Sequence, residues 1–455
     1  MKPIVPDIFR AYDIRGIVDK DFDPDWVEVF GRACGAYFLK NGYRRAVVGH
    51  DARLSSPLYQ ERLAKGMAET GVDVILVGMV STPVCYFAAK HLKVDAGVMV
   101  TASHNPPEFN GFKVIAGPST IYGEEIQALY RMMAAGDFPT GKGIVSVHDI
   151  VPAYVEALVS QTKLSRPIKV VLDGGNGAGG PVTVEVLRGI GAEVVPIFCE
   201  PDGTFPNHHP DPVVEKYMAQ LIARVKAEGA DCGIGLDGDG DRLGVVDENG
   251  RLMFGDQLLA IYARETLKDF PGATVIGEVK CSHLTYKDIA AHGGNAVMGA
   301  TGHSLIKARM QETGAKLAGE MSGHMFFADR YFGFDDATYA AQRFLEVLDR
   351  NPGKTAGTLL SDWPKTYNTP EIRFDCPEEI KFTVVKRAQE HFRGLYDMID
   401  VDGARIVLQD GWGLIRASNT QPVLVLRFEA ESPERLEEIR SIIETPLRAW
   451  IAEMS

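Results

Sequence analysis

The chain predicts an α/β protein of three similar mixed α/β units followed by a smaller α+β unit, and three observations predict it. Up to about residue 360, apolar runs ending in polar loops alternate with amphipathic stretches, the rhythm of βαβ folds. A short pattern recurs before three of those loops: Asp95-Ala96-Gly97-Val98, Asp231-Cys232-Gly233-Ile234 and, as a weaker echo, Gly314-Ala315-Lys316-Leu317-Ala318-Gly319. The first two lie 136 residues apart, a spacing of whole repeated units. Past Pro364 the pattern changes, with helix-like stretches at 378–396 and 433–453 around strand-like stretches at 404–408 and 423–428.

A length of 455 residues suits three or four domains at ~100 to 150 residues each. The expected division is 1–149, 150–251, 252–363 and 364–455. With 45% apolar and 24% charged residues the composition is that of a globular protein. A net charge of −13 excludes an extended nucleic-acid surface, so an anionic ligand would need a local basic pocket. Cys34, Cys85, Cys199, Cys232, Cys281 and Cys376 form no CxxC pair, the residues from Met1 onward hold no apolar stretch of signal-peptide length, and none approaches a membrane span. A cytoplasmic protein with reduced thiols and no membrane or nucleic-acid partner is expected.

In the first unit, 45–51 reads as a strand running into a polar loop, 56–70 as an amphipathic helix and 72–77 as the next strand. Ala96-Gly97-Val98-Met99-Val100 is a short buried strand that stops at Thr101-Ala102-Ser103-His104-Asn105-Pro106-Pro107. Loops at strand ends are the usual place for chemistry in open α/β sheets, and Ser103 is the candidate to carry a phosphoryl group. The same residues also make an ordinary turn before proline. Arg15, near the start, and Lys113, in Asn110-Gly111-Phe112-Lys113, become relevant if they face Ser103.

The second unit opens with a strand at 168–173 and a loop in which Gly175, Gly177 and Gly180 match G-x-G-x-x-G, with Pro181 suited to a first helical turn. Glu200 stands twenty residues past Gly180, as in a dinucleotide site. A tight strand-to-helix turn whose glycines permit close packing and bind nothing is the favoured reading, because the motif begins mid-chain and no nicotinamide-site residues follow. The loop at 201–210, with His208, His209 and three prolines, reads as a rigid solvent loop. Next, Asp237, Asp239 and Asp241 alternate with glycines, so the backbone can curl and bring three carboxylates to one point. Their repulsion calls for a cation, and Mg²⁺ with oxygen ligands suits phosphoryl transfer. An EF-hand is excluded because Leu243-Gly244-Val245-Val246 reads as a strand. Arg242 is placed to balance charge or meet a phosphoryl oxygen.

The third unit supplies Lys280, His303 and Glu320-Met321-Ser322-Gly323-His324, in which Glu320 and Ser322 offer an acceptor and a donor for vicinal sugar hydroxyls. In the fourth, Gly411-Trp412-Gly413-Leu414-Ile415-Arg416-Ala417-Ser418-Asn419-Thr420 lies between strands as a loop rich in phosphate donors.

Taken in order, Thr101 to Pro106, Asp237 to Arg242, Glu320 to His324 and Arg416 to Thr420 resemble the α-D-phosphohexomutase superfamily, in its bacterial phosphomannomutase/phosphoglucomutase branch. The early Tyr12 to Gly16 segment fits as well. The resemblance spans all four units and implies three α/β domains and a TATA-binding-protein-like C-terminal domain around a central cleft. It implies a phosphoserine at Ser103, Mg²⁺ held by Ser103, Asp237, Asp239 and Asp241, sugar contacts from Glu320 and Ser322, and a phosphate grip from Arg416, Ser418, Asn419 and Thr420. Tyr12, Arg15, His104, Lys113, Arg242, Lys280, His303 and His324 would line the cleft.

The implied activity interconverts hexose 1- and 6-phosphates of mannose or glucose through a hexose 1,6-bisphosphate, in a monomer. His324 and Lys113 both remain candidates for the general base. Phosphoglucosamine mutase is the nearer alternative, and an NAD-dependent dehydrogenase or a non-catalytic sugar-phosphate sensor are the remote ones.

Overall fold

A computed structural model describes residues 1–418 and 422–454. Four sheets follow one another along the chain. In the first, strands run in the order Ile14–Ile17, Phe109–Ala116, Ala96–Val100, Arg45–His50, Asp73–Met79, Val145–Val147. The second runs Leu252–Met253, Leu243–Asp247, Cys232–Leu236, Lys169–Asp173, Glu193–Ile197, and the third Asn295–Gly299, Thr274–Glu278, Leu317–Gly319, Met325–Phe327.

The faint sequence repeat has a topological meaning. In each of these sheets a buried strand, parallel to its inner neighbour, ends in a turn and returns antiparallel to itself. The three strands are Ala96–Val100, Cys232–Leu236 and Leu317–Gly319, and their turns carry Ser103, Asp237 to Arg242, and Glu320 to His324. All three candidate loops therefore occupy one structural position, repeated three times.

The fourth sheet is antiparallel throughout and shares a core with helices Lys381–Phe392 and Pro433–Met454, through Val384, Phe392, Ile439, Ile443 and Leu447. The first of these helices is shorter than the expected 378–396. Gly411–Ala417, expected as loop, is a wholly buried strand paired on both sides, so Arg416 projects from a sheet. Its glycines disguised it: an added Cβ at Gly413 would lie 2.3 Å from the Ile443 side chain, so the helix packs directly on the strand backbone.

One continuous apolar core runs through the three α/β units, from Val84 through Leu172 and Leu236 to Phe344. The fourth unit keeps a separate core and meets the third at a small cluster of Val279, Trp412 and Leu414. There Arg405 stacks 3.7 Å over Trp412 and donates to the carbonyls of Val279 and Cys281. Among the described residues no helix is long and apolar enough to cross a membrane.

In the second unit one reading holds and one is corrected. The glycine loop at 174–180 is a packing device: an added Cβ at Gly177 would lie 2.6 Å from the Gly238 carbonyl oxygen, and one at Gly180 2.6 Å from that of Cys199. Ala178 N–H, one of the amides a pyrophosphate would need, already donates to Gly238 O at 3.1 Å. The glycines let this loop lie directly beneath the acidic turn, which removes the basis for a dehydrogenase.

The 201–210 segment, expected as a solvent loop, exposes Asp202, Thr204, Pro206 and Asn207 but is anchored through its buried residues. Phe205 is buried under the Arg53 guanidinium at 5.2 Å, and an added Cβ at Gly203 would lie 2.4 Å from Ala52 O, so the segment straps the second unit to the first. His208 Nε2 sits 2.9 Å from Asp173 Oδ2.

Gly177→Ala is expected to destabilise the protein by about 1–3 kcal/mol through overpacking against Gly238, measured by urea unfolding. A pH effect originates at Asp336, which accepts from Tyr339 N–H as the N-cap of helix Ala337–Arg350 and from the Tyr154 and Tyr331 hydroxyls. Burial pushes its carboxyl from 3.8 up to about 6, despite these donors. An acid raised on folding contributes stability that is complete below its unfolded pKa and is lost as pH rises through the folded one. Relative to Asp336→Asn, which keeps the capping oxygen, the wild type should lose roughly 3 kcal/mol between about pH 3 and pH 7 in urea titrations.

Candidate active site

Ser103 sits at the end of Ala96–Val100 with φ +51°, a left-handed conformation that a non-glycine residue holds only when its surroundings impose it. Arg53 imposes it. Its buried guanidinium donates from Nη2 to the carbonyls of Ser103 (2.8 Å) and Asn105 (2.6 Å) and from Nη1 to those of Pro106 (2.6 Å) and Phe109 (2.9 Å). Nε donates to Asp51 at 3.1 Å, so all five donors are engaged and four of them hold one loop. Within the loop, Ser103 N–H donates to Thr101 Oγ1 at 2.9 Å.

Held this way, the Ser103 hydroxyl donates to Asp237 Oδ2 at 2.6 Å, and His104 Nδ1 lies 3.1 Å from the same Oγ. Burial and the nearby Arg242 and Arg15 keep His104 well below the usual histidine range, hence neutral. Arg15 is aimed at this loop by Asp13 at 2.6 Å and donates to Asn105 Oδ1 at 2.6 Å.

Asp237, Asp239 and Asp241 are each 0% exposed, with one oxygen apiece within 4.8 Å of the others. The curl that the alternating glycines allow is visible at Gly240, whose φ is +73°. It folds three backbone amides, of Gly240, Asp241 and Arg242, onto Asp237 Oδ1 at 3.0–3.2 Å. Lys113 Nζ reaches in from the first unit to Asp239 Oδ2 at 2.7 Å and to Asp241 Oδ2, and Thr82 donates to Asp239 at 2.6 Å.

Burial works against every charge here, and the partners decide each outcome. Asp237 is pushed well up by burial and by its two neighbouring aspartates. Asp239 is held far below the carboxylate range because Lys113 outweighs its burial. Lys113, despite burial, is held firmly protonated by the two carboxylates. Asp239 Oδ1 and Asp241 Oδ1 remain buried without a hydrogen-bond partner among the described residues. An all-oxygen set with two unsatisfied buried oxygens fits a hard divalent cation.

The acidic turn is bonded to the third unit. Arg242 Nε donates to His324 Nε2 at 2.9 Å, and Leu243 N–H to Gly323 O at 3.2 Å. His324 Nδ1 lies 3.1 Å from Asp335 Oδ2, whose other oxygen is 3.1 Å from Lys307 Nζ. His303 stacks on His324 at 5.6 Å and meets the edge of Tyr12 at 5.5 Å. Burial and Lys307 keep His303 neutral, and neither of its ring nitrogens has a hydrogen-bond partner among the described residues.

Beyond these rings lies a second group. Glu320 accepts from Gly302 N–H at 2.7 Å, and burial with Glu278 raises its pKa. Ser322 is half-buried in the same turn. Glu278 accepts from Lys280 N–H at 2.8 Å and Thr301 Oγ1 at 2.9 Å, and the Lys280 ammonium sits 3.3 Å from Glu371 and 3.6 Å from Glu278. Arg416 Nε donates to Asp402 at 3.0 Å, and Ser418 N–H to Val423 O at 3.0 Å. Asn419 and Thr420 lie outside the described residues.

Sequence reasoning missed Arg53, Thr82, Glu278, Lys307, Asp335 and Asp402. Arg53 carried a readable signal, since Asp51-Ala52-Arg53 ends a strand as the serine loop does. So did Lys307, four residues after His303 and hence on the same helix face. Asp402 sits in a turn with no pattern around it.

This is a four-unit α/β protein in which a strained serine, a buried acidic cluster and cationic side chains from separate units converge on one site. The sequence matches phosphoglucomutase/phosphomannomutase alpha/beta/alpha domain I over residues 6–140, domain II over 152–250, domain III over 254–367 and the C-terminal domain over 371–445. It is 45% identical over 445 residues to a phosphomannomutase/phosphoglucomutase of Pseudomonas putida, covering 97% of this chain and 96% of that one. To a phosphoglucomutase of Neisseria gonorrhoeae it is 44% identical, covering 97% and 96%. The crystal structure of a phosphoglucomutase/phosphomannomutase family protein from Burkholderia thailandensis superposes with a TM-score of 0.93 at 42% identity, covering 99% of this chain and 98% of that one. The chain belongs to the phosphoglucomutase/phosphomannomutase family of the α-D-phosphohexomutase superfamily.

Arg53→Met should cost about 3–5 kcal/mol in urea unfolding, because it strands buried Asp51 and four carbonyls at once. Arg53→Lys should recover only part of this, since one ammonium cannot reproduce the planar five-donor fork. A cost below about 1 kcal/mol for Arg53→Met would contradict the role assigned to Arg53.

Proposed function

We propose that this chain is a phosphohexomutase that interconverts hexose 1-phosphate and hexose 6-phosphate, of mannose or glucose, through a phosphoserine at Ser103 and a hexose 1,6-bisphosphate. The observation that carries the reading is the 2.6 Å contact of the strained Ser103 hydroxyl with Asp237 inside the buried acidic turn. Phosphohexose is the partner this requires. The division at 149/150 and 363/364 belongs to the same proposal, with the expected boundary at 251/252 moved past Met253, because Leu252–Met253 pairs with Val245 and Val246 of the second sheet.

Asp237, Asp239 and Asp241, with an oxygen at Ser103, would hold Mg²⁺, which when bound supplies charge neutralisation at the transferring phosphoryl group. In the forward step the bond from phosphorus to Ser103 Oγ breaks as one forms to the sugar hydroxyl oxygen, whose proton goes to a base. Arg15, Lys113 and Arg242 present fixed positive charge to the equatorial oxygens, where most of the rate enhancement lies. The return step runs in reverse from the opposite end of the bisphosphate, and Ser103 regains a phosphoryl group. Glu320 and Ser322 orient the sugar hydroxyls. Arg416, Ser418, Asn419 and Thr420, with Lys280, hold the phosphate that is not reacting.

Neither expected base is free. Lys113 is held as a cation by two carboxylates, and the His324 Nε2 lone pair is occupied by Arg242. His303 is neutral, with Nδ1 3.7 Å from Asp335 Oδ2 and no hydrogen bond to either ring nitrogen among the described residues, and is the base this reading favours.

Wild-type protein treated with glucose 1,6-bisphosphate should gain one phosphoryl group by intact-mass measurement, and Ser103→Ala none, with turnover reduced at least ~10³-fold. Chelation with EDTA should abolish turnover and Mg²⁺ restore it. Protein that stays unphosphorylated and still turns over would overturn the reading. His303→Asn should lower kcat by about 10²–10⁴-fold with little change in KM, and an unchanged kcat would remove it as the base. Relative turnover of mannose, glucose and glucosamine 1-phosphates separates the nearer alternative, phosphoglucosamine mutase.

A further inference from the structure

A cavity of about 230 Å³ lies outside the cleft, between the first and third units. Its walls include Tyr86, Lys90, Lys307, Lys316, Phe332 and Phe334. Tyr86 meets Phe334 edge-on at 5.6 Å and Phe332 stacks on Phe334 at 5.8 Å, so one side is an aromatic wall, and Phe332 is 51% exposed at its rim. The charge is one-sided. Three lysines and no aspartate or glutamate line the cavity, in a protein of net charge −13.

Of the three lysines only Lys307 has an ion pair among the described residues, with Asp335. An ammonium has three donors, and this pair occupies one. Two further polar groups in the wall, the hydroxyls of Tyr86 and Ser119, are buried without a hydrogen-bond partner among the described residues. Apolar walls with a few convergent polar groups are the usual makeup of a small-ligand site. Aromatic surface, unopposed cationic charge and unsatisfied hydroxyls select an amphipathic anion with a flat apolar body and one carboxylate.

We propose that this cavity is a regulatory site for a small aromatic carboxylate. The cavity touches the cleft through two rigid links. Helix His303–Thr313 carries His303 in the cleft and Lys307 and Met310 in the cavity wall, and Thr120 is hydrogen-bonded to Ser304 at 2.8 Å across the two units. Lys307 also holds Asp335, which holds His324. A carboxylate that engages Lys307 competes with Asp335 for it and so acts one side chain away from the reacting groups. The site itself is independent of the mutase reading; its effect on turnover rests on that reading.

The test is calorimetric titration of the intact protein with 1-naphthylacetate and with its neutral amide. The carboxylate should bind saturably and at least about tenfold more tightly than the amide. Lys316→Glu should weaken it at least about tenfold, Ala328→Leu should weaken it by filling the cavity, and saturating glucose 1,6-bisphosphate should not displace it. Absence of saturable binding, equal affinity for acid and amide, indifference to Lys316→Glu, or displacement by the bisphosphate would each overturn the site. Bound carboxylate should also change kcat or KM for glucose 1-phosphate at least about twofold in wild type but not in Lys316→Glu. Intact binding with unchanged kinetics would overturn the regulatory link and leave the ligand site.

Discussion

Three carboxylates with no exposure to water, within 4.8 Å of one another, are the constraint that the rest of the molecule answers. Buried charges at this separation are strongly unfavourable unless cations and hydrogen bonds compensate them. No single unit supplies enough compensation. Asp237 is met by three amides of its own turn and by Ser103 of the first unit; Asp239 and Asp241 are met by Lys113 and Thr82, also of the first unit. The continuous core through three units is thus matched by a polar network that closes only when the units are assembled. Two oxygens, Asp239 Oδ1 and Asp241 Oδ1, have no hydrogen-bond partner among the described residues, as a cation site requires.

Arg53 solves the complementary problem, an unfavourable backbone. A serine at φ +51° is strained by roughly 1–3 kcal/mol. Four carbonyl contacts from one planar group over-determine the loop, and the outcome is a hydroxyl fixed on a carboxylate rather than turned to solvent. The glycine loop at 174–180 and the 201–210 strap brace the acidic turn from the other side, and for that reason their unusual composition has nothing to do with a nucleotide.

The two ends of the cleft differ in kind. At Ser103 the charges close between the first and second units, whereas around Glu320, Lys280 and Arg416 the positive groups are held by carboxylates at 3.0–3.6 Å of the third unit and of the fourth, which has its own core. Tyr12 and His303 lie between these groups and join the first unit to the third by ring contacts. A neutral histidine in that position suits proton transfer near a sugar hydroxyl better than a lysine fixed as a cation.

The repeated strand pattern, the alternating Asp-Gly turn and the serine loop were legible because each depends on residues close in sequence: a strand of five residues, a glycine at every second position, a proline after the turn. Such local rules located every strand that bears a candidate loop in the α/β units, and the loops themselves. They failed where partners are distant. Gly411–Ala417 read as loop because its glycines serve a helix far along the chain, and His208 read as solvent-facing because its carboxylate partner is Asp173. By itself the sequence determined the fold class, the positions of the loops and the identities of their charged residues. Only the tertiary structure decided that Arg53 holds the serine loop, that Lys113 is paired with two buried carboxylates and that Arg242 donates to His324, because these depend on burial and on contacts between residues far apart in the chain.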